Sequence, residues 1–273
     1  MKVAFQGVRG AYSEQAVVSC FGGRAEPLSC PLLVDVFDAV QSRRAELGCV
    51  PVENSSAGSI YETYDLLAEN ALTIVGEHFL KVVHCLMGRP DATLEQLKTV
   101  YSHPQALDQC RAFLKRHSLE ANAFYDTAGA AKWVAGQADP SRGAIASRLA
   151  AEHYGMALLA ENIQTHTHNT TRFLVLGREG APPEGACKTS LVFEAKHIPA
   201  ALYKCLGGFA TNGVNLTKLE SRPTQAGMGS YRFYLDCEGH VDEPAVDRAV
   251  QELAFFTARL RVLGSYPAGQ LPD

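Results

Sequence analysis

Long apolar runs, paired cysteines and clustered positive charge are all missing from this 273-residue chain, and each absence closes off a class of function. The longest apolar stretch, Phe79 to Met87, is interrupted by Lys81 and His84, and it falls well short of the ~20 apolar residues that span a bilayer. Met1-Lys2-Val3-Ala4-Phe5-Gln6 runs straight into a glycine loop and lacks the apolar core of a signal peptide. The expected compartment is therefore the cytoplasm, or an organelle lumen if a transit peptide was removed. The eight cysteines stand singly, with no Cys-x-x-Cys spacing, so reduced and mostly buried thiols are expected. A formal net charge of −4 argues against nucleic acid as a partner, because phosphate contacts need a clustered excess of Lys and Arg. No His-Glu-x-x-His or Cys/His cluster joins the pair His166 and His168, so no metal is expected. There is no Gly-x-Ser-x-Gly elbow for a serine hydrolase. Gly7-x-x-Gly10 lacks the remaining glycine of a dinucleotide loop, and no organic cofactor is expected.

What is present is a soluble, globular composition, 47% hydrophobic and 20% charged, in a chain long enough for two or three compact units. Through the first half, strand-like and helix-like segments alternate. Lys2–Gln6, Leu47–Val52 and Leu72–Gly76 read as strands, as does Phe79–Met87. Leu32–Gln41 reads as a helix with Val34, Phe37 and Val40 inward and Asp35 and Asp38 outward. Ser13–Cys20 reads as a helix with Ser13 at its N-cap. Such alternation implies an α/β layer fold with a mostly parallel sheet. A second α/β lobe begins near Glu77, with Thr93 and Gln96 at capping-box spacing. The chain returns to the first lobe at Thr171–Gly177. Gly177 to Gly185, rich in Gly and Pro, is the clearest linker. Beyond it the order strand (Thr189–Lys196), helix (Pro199–Thr211), two strands (Val214–Glu220, Ser230–Cys237), helix (Glu243–Phe256), strand (Leu260–Tyr266) describes a ferredoxin-like βαββαβ sandwich.

The motif segments all fall at strand ends. Asn169-Thr170-Thr171-Arg172-Phe173 puts two hydroxyls and a guanidinium at the mouth of a β-prone run. Arg binds a carboxylate bidentately and stays protonated, and a neighbouring Thr can exchange a proton with a substrate held there. Three further stretches accompany it: Gly7-Val8-Arg9-Gly10-Ala11-Tyr12-Ser13, Val50-Pro51-Val52-Glu53-Asn54-Ser55, and Tyr101-Ser102-His103-Pro104-Gln105-Ala106-Leu107. In this order the set resembles prephenate dehydratase, with Val8 and Ala11 standing where that family has Pro and Thr. Asn212-Gly213-Val214-Asn215-Leu216-Thr217 and Leu219-Glu220-Ser221-Arg222-Pro223 resemble the amino-acid-binding ACT module that follows the dehydratase domain.

The resemblance implies a two-lobed catalytic domain like a periplasmic binding protein over 1–178, with lobe one at about 1–76 and 165–178 and lobe two at about 77–164. An ACT regulatory domain would occupy 188–267. The implied reaction is conversion of prephenate to phenylpyruvate, water and carbon dioxide without a cofactor. Thr171 and Arg172 are the expected catalytic residues, and Ser13, Asn54, Ser55, Thr170 and Arg172 the expected substrate contacts. Ser13 reads equally as a plain N-cap, and Asn54 with Ser55 as an Asx-type turn. Glu53 reads as a structural carboxylate and His103, before Pro104, as a turn residue. L-phenylalanine is the implied effector, held by Ala201, Leu202, Asn215, Leu216, Glu220 and Ser221 in a homodimer or homotetramer joined through the ACT domains. Pro199-Ala200-Ala201-Leu202 stands where the family pattern reads Pro-Gly-Ala-Leu. Ala200 is expected to be helical, where Ala is preferred to Gly. Arogenate dehydratase, whose substrate differs by one amino group, and a non-catalytic small-acid-binding regulator are the alternative readings.

Overall fold

The structure, a computed structural model, describes residues 1–166, 168–224 and 231–272. In chain order it begins with β1 (Lys2–Gln6), α1 (Tyr12–Phe21), β2 (Glu26–Cys30), α2 (Leu33–Gln41), β3 (Leu47–Asn54), β4 (Gly58–Ser59), α3 (Tyr61–Glu69) and β5 (Thr73–Lys81). It continues with β6 (Cys85–Gly88), β7 (Thr99–Ser102), α4 (Pro104–Gln109), α5 (Arg111–Arg116), β8 (Glu120–Ala123), α6 (Thr127–Ala135), β9 (Arg142–Ala146), α7 (Arg148–Tyr154), β10 (Ala157–Ala160) and β11 (Thr170–Gly177). The last elements are β12 (Cys187–Ala195), α8 (Ala201–Thr211), β13 (Leu216–Pro223), β14 (Tyr231–Glu238), α9 (Pro244–Phe256) and β15 (Thr257–Pro267). Among the described residues no helix is long and apolar enough to cross a membrane.

These elements form two units, one of Met1–Ile60, Phe79–Phe173 and Pro272–Asp273, the other of Tyr61–His78 and Leu174–Leu271. The first has the expected two-lobed α/β architecture. One sheet runs β2-β1-β3-β11-β5 with β4 on β3, and β1 is parallel to both neighbours. The other runs β10-β6-β9-β7-β8, parallel about β7 and antiparallel at β6. Helix α2 shows how the sequence specifies its layer. Leu33, Val36, Phe37 and Val40 are buried at helical spacing, and burying each such side chain contributes about 1.5–3 kcal/mol. Phe37 and Val40 face inward as expected, whereas Val34 points outward at 38% exposure and Leu33 and Val36 complete the inner face.

The expected single strand Phe79–Met87 is two strands in two sheets, because the chain crosses between lobes at Val82–His84. The crossing is pinned by the return crossing. Val82 N donates to Asn169 O at 2.7 Å, His84 N to Gln164 Oε1 at 3.0 Å and Ile163 N to His84 O at 3.2 Å. A second tie joins the lobes at Gly10, whose φ of +85° suits glycine and where a Cβ would meet Ala150 Cα at 2.6 Å. Ser147, the N-cap of α7, donates its hydroxyl to Gly10 O at 2.6 Å.

In the second unit β12-α8-β13-β14-α9-β15 gives the βαββαβ order, with sheet order β13-β14-β12-β15 and antiparallel pairing. Both helices cover one face through Cys205, Phe209, Val246, Ala249 and Leu253. Ser230, the expected start of the third strand, lies outside the described residues. Tyr61–His78, expected in lobe one, is grouped with this unit, although β5 (Thr73–Lys81) pairs in the first sheet. Arg261 donates to Leu67 O at 3.2 Å and Leu72 O at 2.8 Å, and Tyr234 donates to Tyr64 O at 2.9 Å. Lys188 pairs with buried Glu77 at 2.7 Å, and Gly264 lies so close to Ile74 that a Cβ there would meet its carbonyl at 2.1 Å.

Ala200 is not helical. It caps α8 with φ +56° and ψ 33°, the left-handed region, which costs a residue with a Cβ about 1–2 kcal/mol. Part of the gain from Gly is offset by the greater freedom it gives the unfolded chain. Ala200→Gly should therefore stabilise this unit by about 0.5–1 kcal/mol. Urea unfolding of the two proteins checks it, and equal midpoints would show that the position carries no strain.

Candidate active site

Between the crossing segments and the N-terminal ends of α1, α4 and α6 lies a cavity of ≈300 Å³. Its polar wall carries Tyr12, Ser13, Asn54, His84, His103, Gln105, Gln109, Asp126, Thr127, Asn169 and Thr171. Pro51, Ile60, Val82, Ala106 and Phe173 form an apolar wall. No Lys or Arg is among the described residues that line it. Orphan N–H groups at helix N-termini favour anions without a formal cation, and α1 has Ala11 at its N-cap, with no side-chain cap.

The polar side chains form one hydrogen-bonded chain. Asn54 is the last residue of β3, where the strand ends in a turn, and its Oδ1 accepts from Ser56 N and Ala57 N, both at 3.0 Å. This is the Asx-type turn suspected from the sequence, and it fixes which way the carboxamide faces. The Nδ2 hydrogens then go to Asn169 Oδ1 at 2.8 Å and Thr171 Oγ1 at 2.9 Å. Asn169 in turn donates from Nδ2 to Gln109 Oε1 at 2.9 Å. The same oxygen lies 2.6 Å from His84 Nε2. A carboxamide oxygen only accepts, so Nε2 carries the hydrogen and Nδ1 is the acceptor. Tyr12 meets that Nδ1 through its hydroxyl at 2.7 Å.

Burial pushes the His84 pKa down, opposed by its bond to Gln109, and pushes Tyr12 well above its ordinary value. Both groups are thus neutral, and so is the whole chain from Tyr12 to Thr171. Two donors are left over at the cavity. Thr171 has its oxygen occupied by Asn54, and its hydroxyl proton has no protein acceptor among the described residues. The Gln109 amide likewise has no acceptor for its Nε2 hydrogens among them.

Of the residues singled out from sequence, Ser13, Asn54 and Thr171 meet at this cavity. Ser13 is not the N-cap of α1; it sits one residue inside the helix, whose cap is Ala11. Ser55 and Thr170 are not among the described lining residues. They join the end of β3 to the start of β11: Ser55 Oγ accepts from Thr170 N at 3.0 Å and donates to His168 O at 2.8 Å. Arg172 is buried, with 8% of its surface exposed, and it too is absent from the cavity wall. Asn169, Thr171 and Phe173 line the cavity and Arg172 does not appear among the described lining residues, a pattern in keeping with the alternation of side chains along a strand.

Four side chains of this hydrogen-bonded chain were not named as site residues from sequence: Gln109, His84, Asn169 and Tyr12. Gln109 lies one turn along the helix that begins after Ser-His-Pro, on the same face as Gln105. That spacing was the available signal.

In the second unit, a groove of ≈430 Å³ is lined by Ala201 and Leu202 with Lys196, Ile198, Tyr231 and Phe233 among others. Asn215, Leu216, Glu220 and Ser221 are not among its described lining residues. They lie at or on edge strand β13, with Glu220 Oε2 3.9 Å from Lys218 Nζ.

The chain is similar to proteins of known type over its whole length. A bifunctional N-acyl-homoserine lactone acylase/prephenate dehydratase of Komagataeibacter europaeus is 42% identical, covering 97% of this chain and 95% of that protein. Arogenate dehydratase 2 of Petunia hybrida is 42% identical over 98% of this chain and 72% of its own. The crystal structure of a prephenate dehydratase from Arthrobacter aurescens in complex with L-Phe matches with a TM-score of 0.89 at 32% identity, covering 97% of this chain and 89% of that one. The prephenate dehydratase family model spans residues 3–181, which takes in every residue of the cavity wall, and the chain therefore belongs to the prephenate dehydratase family of enzymes.

Proposed function

We propose that this cavity converts prephenate to phenylpyruvate, with arogenate, differing by one amino group, as the alternative substrate of the same chemistry. The prephenate dianion takes up one proton and yields phenylpyruvate, carbon dioxide and water. The bond to the ring carboxylate breaks and its electron pair enters the ring. The bond to the ring hydroxyl breaks as that oxygen gains the proton, and aromatisation drives both.

The observation that carries this reading is the Asn54–Thr171 hydrogen bond. By occupying the Thr171 oxygen as acceptor, Asn54 leaves the hydroxyl proton directed at whatever fills the cavity. The ring hydroxyl of the substrate receives it. A threonine is a weak acid, so its contribution comes from placement and from the polarising N–H behind it. Gln109 offers amide hydrogens to a substrate carboxylate from the far end of the same chain. The apolar wall of Val82, Ile60 and Phe173 suits the departing carboxylate, whose charge disappears in the transition state. A cation gripping that group would stabilise the reactant more than the transition state.

The test is the ultraviolet assay of phenylpyruvate formation from prephenate, run beside the same assay of phenylalanine from arogenate. Thr171→Ala should lower kcat on the order of 10²-fold or more with KM little changed. Thr171→Ser, which keeps the hydroxyl, should retain more. A Thr171→Ala enzyme with most of its kcat would remove Thr171 from the chemistry.

Arg172 was expected to clamp a carboxylate, and Lys would then be a poor substitute because it lacks the bidentate fork. Because Arg172 is buried and is not among the described residues lining the cavity, we expect Arg172→Lys to leave KM unchanged and to lower Tm. A raised KM at unchanged Tm would restore the clamp.

We further propose that the C-terminal βαββαβ module is an ACT domain that binds phenylalanine, inhibits the dehydratase and joins subunits into a homo-oligomer. The Arthrobacter relative was crystallised with L-Phe, and the groove at Ala201 and Leu202 supports the reading here. Edge strand β13 is suited to side-by-side pairing. Phenylalanine should inhibit wild type, and Ala200→Gly should shift the inhibition to lower phenylalanine by relieving the left-handed alanine that starts α8. Absence of inhibition in both proteins would leave the module as an oligomerisation device only.

A further inference from the structure

Asp126 is the only Asp, Glu, Lys or Arg among the described residues lining the inner cavity. It is half-buried and begins α6, where its Oδ1 accepts from Gly129 N. That bond occupies one oxygen. No Lys, Arg or His of the described residues lies within ion-pair distance of its carboxylate, and no hydrogen bond to its second oxygen is found among them. A negative charge facing a cavity built for a dianion is out of place if it is only a helix cap. Asn caps a helix as well as Asp without bringing any charge.

The two candidate substrates differ at one point. The keto form carries two carboxylates and a carbonyl, all acceptors, so a facing carboxylate opposes it. The amino form carries an α-ammonium beside its side-chain carboxylate, three donors and one positive charge, so the same carboxylate attracts it. The sign of the effect is thus opposite for the two. We infer that Asp126 is a specificity-determining residue: it receives the α-ammonium of arogenate and so admits the amino acid to a site that also turns over the keto acid. This rests on the dehydratase reading of the cavity. Thr171 and Asn54 act on the ring hydroxyl in both substrates, and Asp126 reads only the side chain.

Asp126→Asn isolates the charge, since Asn accepts the same bond from Gly129 N and keeps the helix start intact. The measurement is kcat/KM for arogenate and for prephenate with wild type and variant, each at matched pH. The expected result is a loss of roughly tenfold or more for arogenate, the size of one charge-assisted hydrogen bond. For prephenate, kcat/KM should hold or rise, since an acceptor facing its carbonyl has become a donor. The ratio of the two is what a capping role alone does not move. Equal losses on both substrates, or an unchanged ratio, would overturn the assignment while leaving the dehydratase reading intact. Wild type that turns over neither substrate would sink the dehydratase reading, and the assignment with it.

Discussion

The orientation of one carboxamide governs the rest of the site. Asn54 has a single acceptor, and the turn after β3 spends it on two backbone N–H groups. Its two remaining hydrogens must then point the other way, toward Asn169 and Thr171. From that choice the direction of every further bond follows. Asn169 must use its amide hydrogens on Gln109, Gln109 must accept with its oxygen, and His84 must protonate Nε2. Such a chain is preorganised by local backbone geometry, so little has to rearrange when substrate arrives. A buried network of this kind is stable only when each member is satisfied, and here the unsatisfied donors are the ones that face the cavity.

Neutrality is the second property of that chain, and it suits the reaction. Decarboxylation disperses a localised charge, and a site lined by dipoles and apolar carbon penalises that charge less in the transition state than in the reactant. Charged side chains are accordingly kept apart from the inner wall. Arg172 is not among the described lining residues of the cavity. Arg111 and Lys115 line a neighbouring basin of ≈550 Å³ that shares Ala57, Gln105, Gln109 and Asn169 with the cavity. Asp126 is the exception, and this is why its charge calls for an explanation beyond capping.

Elements whose pattern is local were legible in the sequence. The order of strands and helices in both units, the Thr93–Gln96 capping box and the Asx turn at Asn54 all follow from spacing and side-chain chemistry. What escaped depended on tertiary geometry. Two sheets take up one apolar run, because Phe79–Met87 has no residue that marks a crossing; the crossing is set by bonds to Gln164 and Asn169, some eighty residues away. Tyr61–His78 reads as an ordinary helix and strand, and it is long-range contacts with Lys188, Tyr234, Arg261 and Gly264 that group it with the second unit. Ala200 looks like a helix residue by propensity, yet the entry angle of α8 requires a left-handed turn there. In the motif Asn-Thr-Thr-Arg-Phe, Asn169, Thr171 and Phe173 line the cavity, while Thr170 and Arg172 are not among its described lining residues. A period of two on a strand means that neighbours in sequence are strangers in space.

The crossing segments also tie catalysis to the arrangement of the lobes. Val82 N is bonded to Asn169 O, and the backbone of His84 is bonded on both sides, to Gln164 and Ile163. Thr165 N is bonded to Gln109 O at 2.8 Å. Three members of the polar chain, His84, Gln109 and Asn169, are thus held by backbone bonds between the two crossings or beside them. Any hinge opening at the crossings would strain the hydrogen bonds that set the direction of Asn54. The Gly10–Ala150 approach and the Ser147–Gly10 bond tie the lobes at a second place. The two lobes are thus tied at the crossings and at Gly10, and the polar chain lies beside the first of these ties.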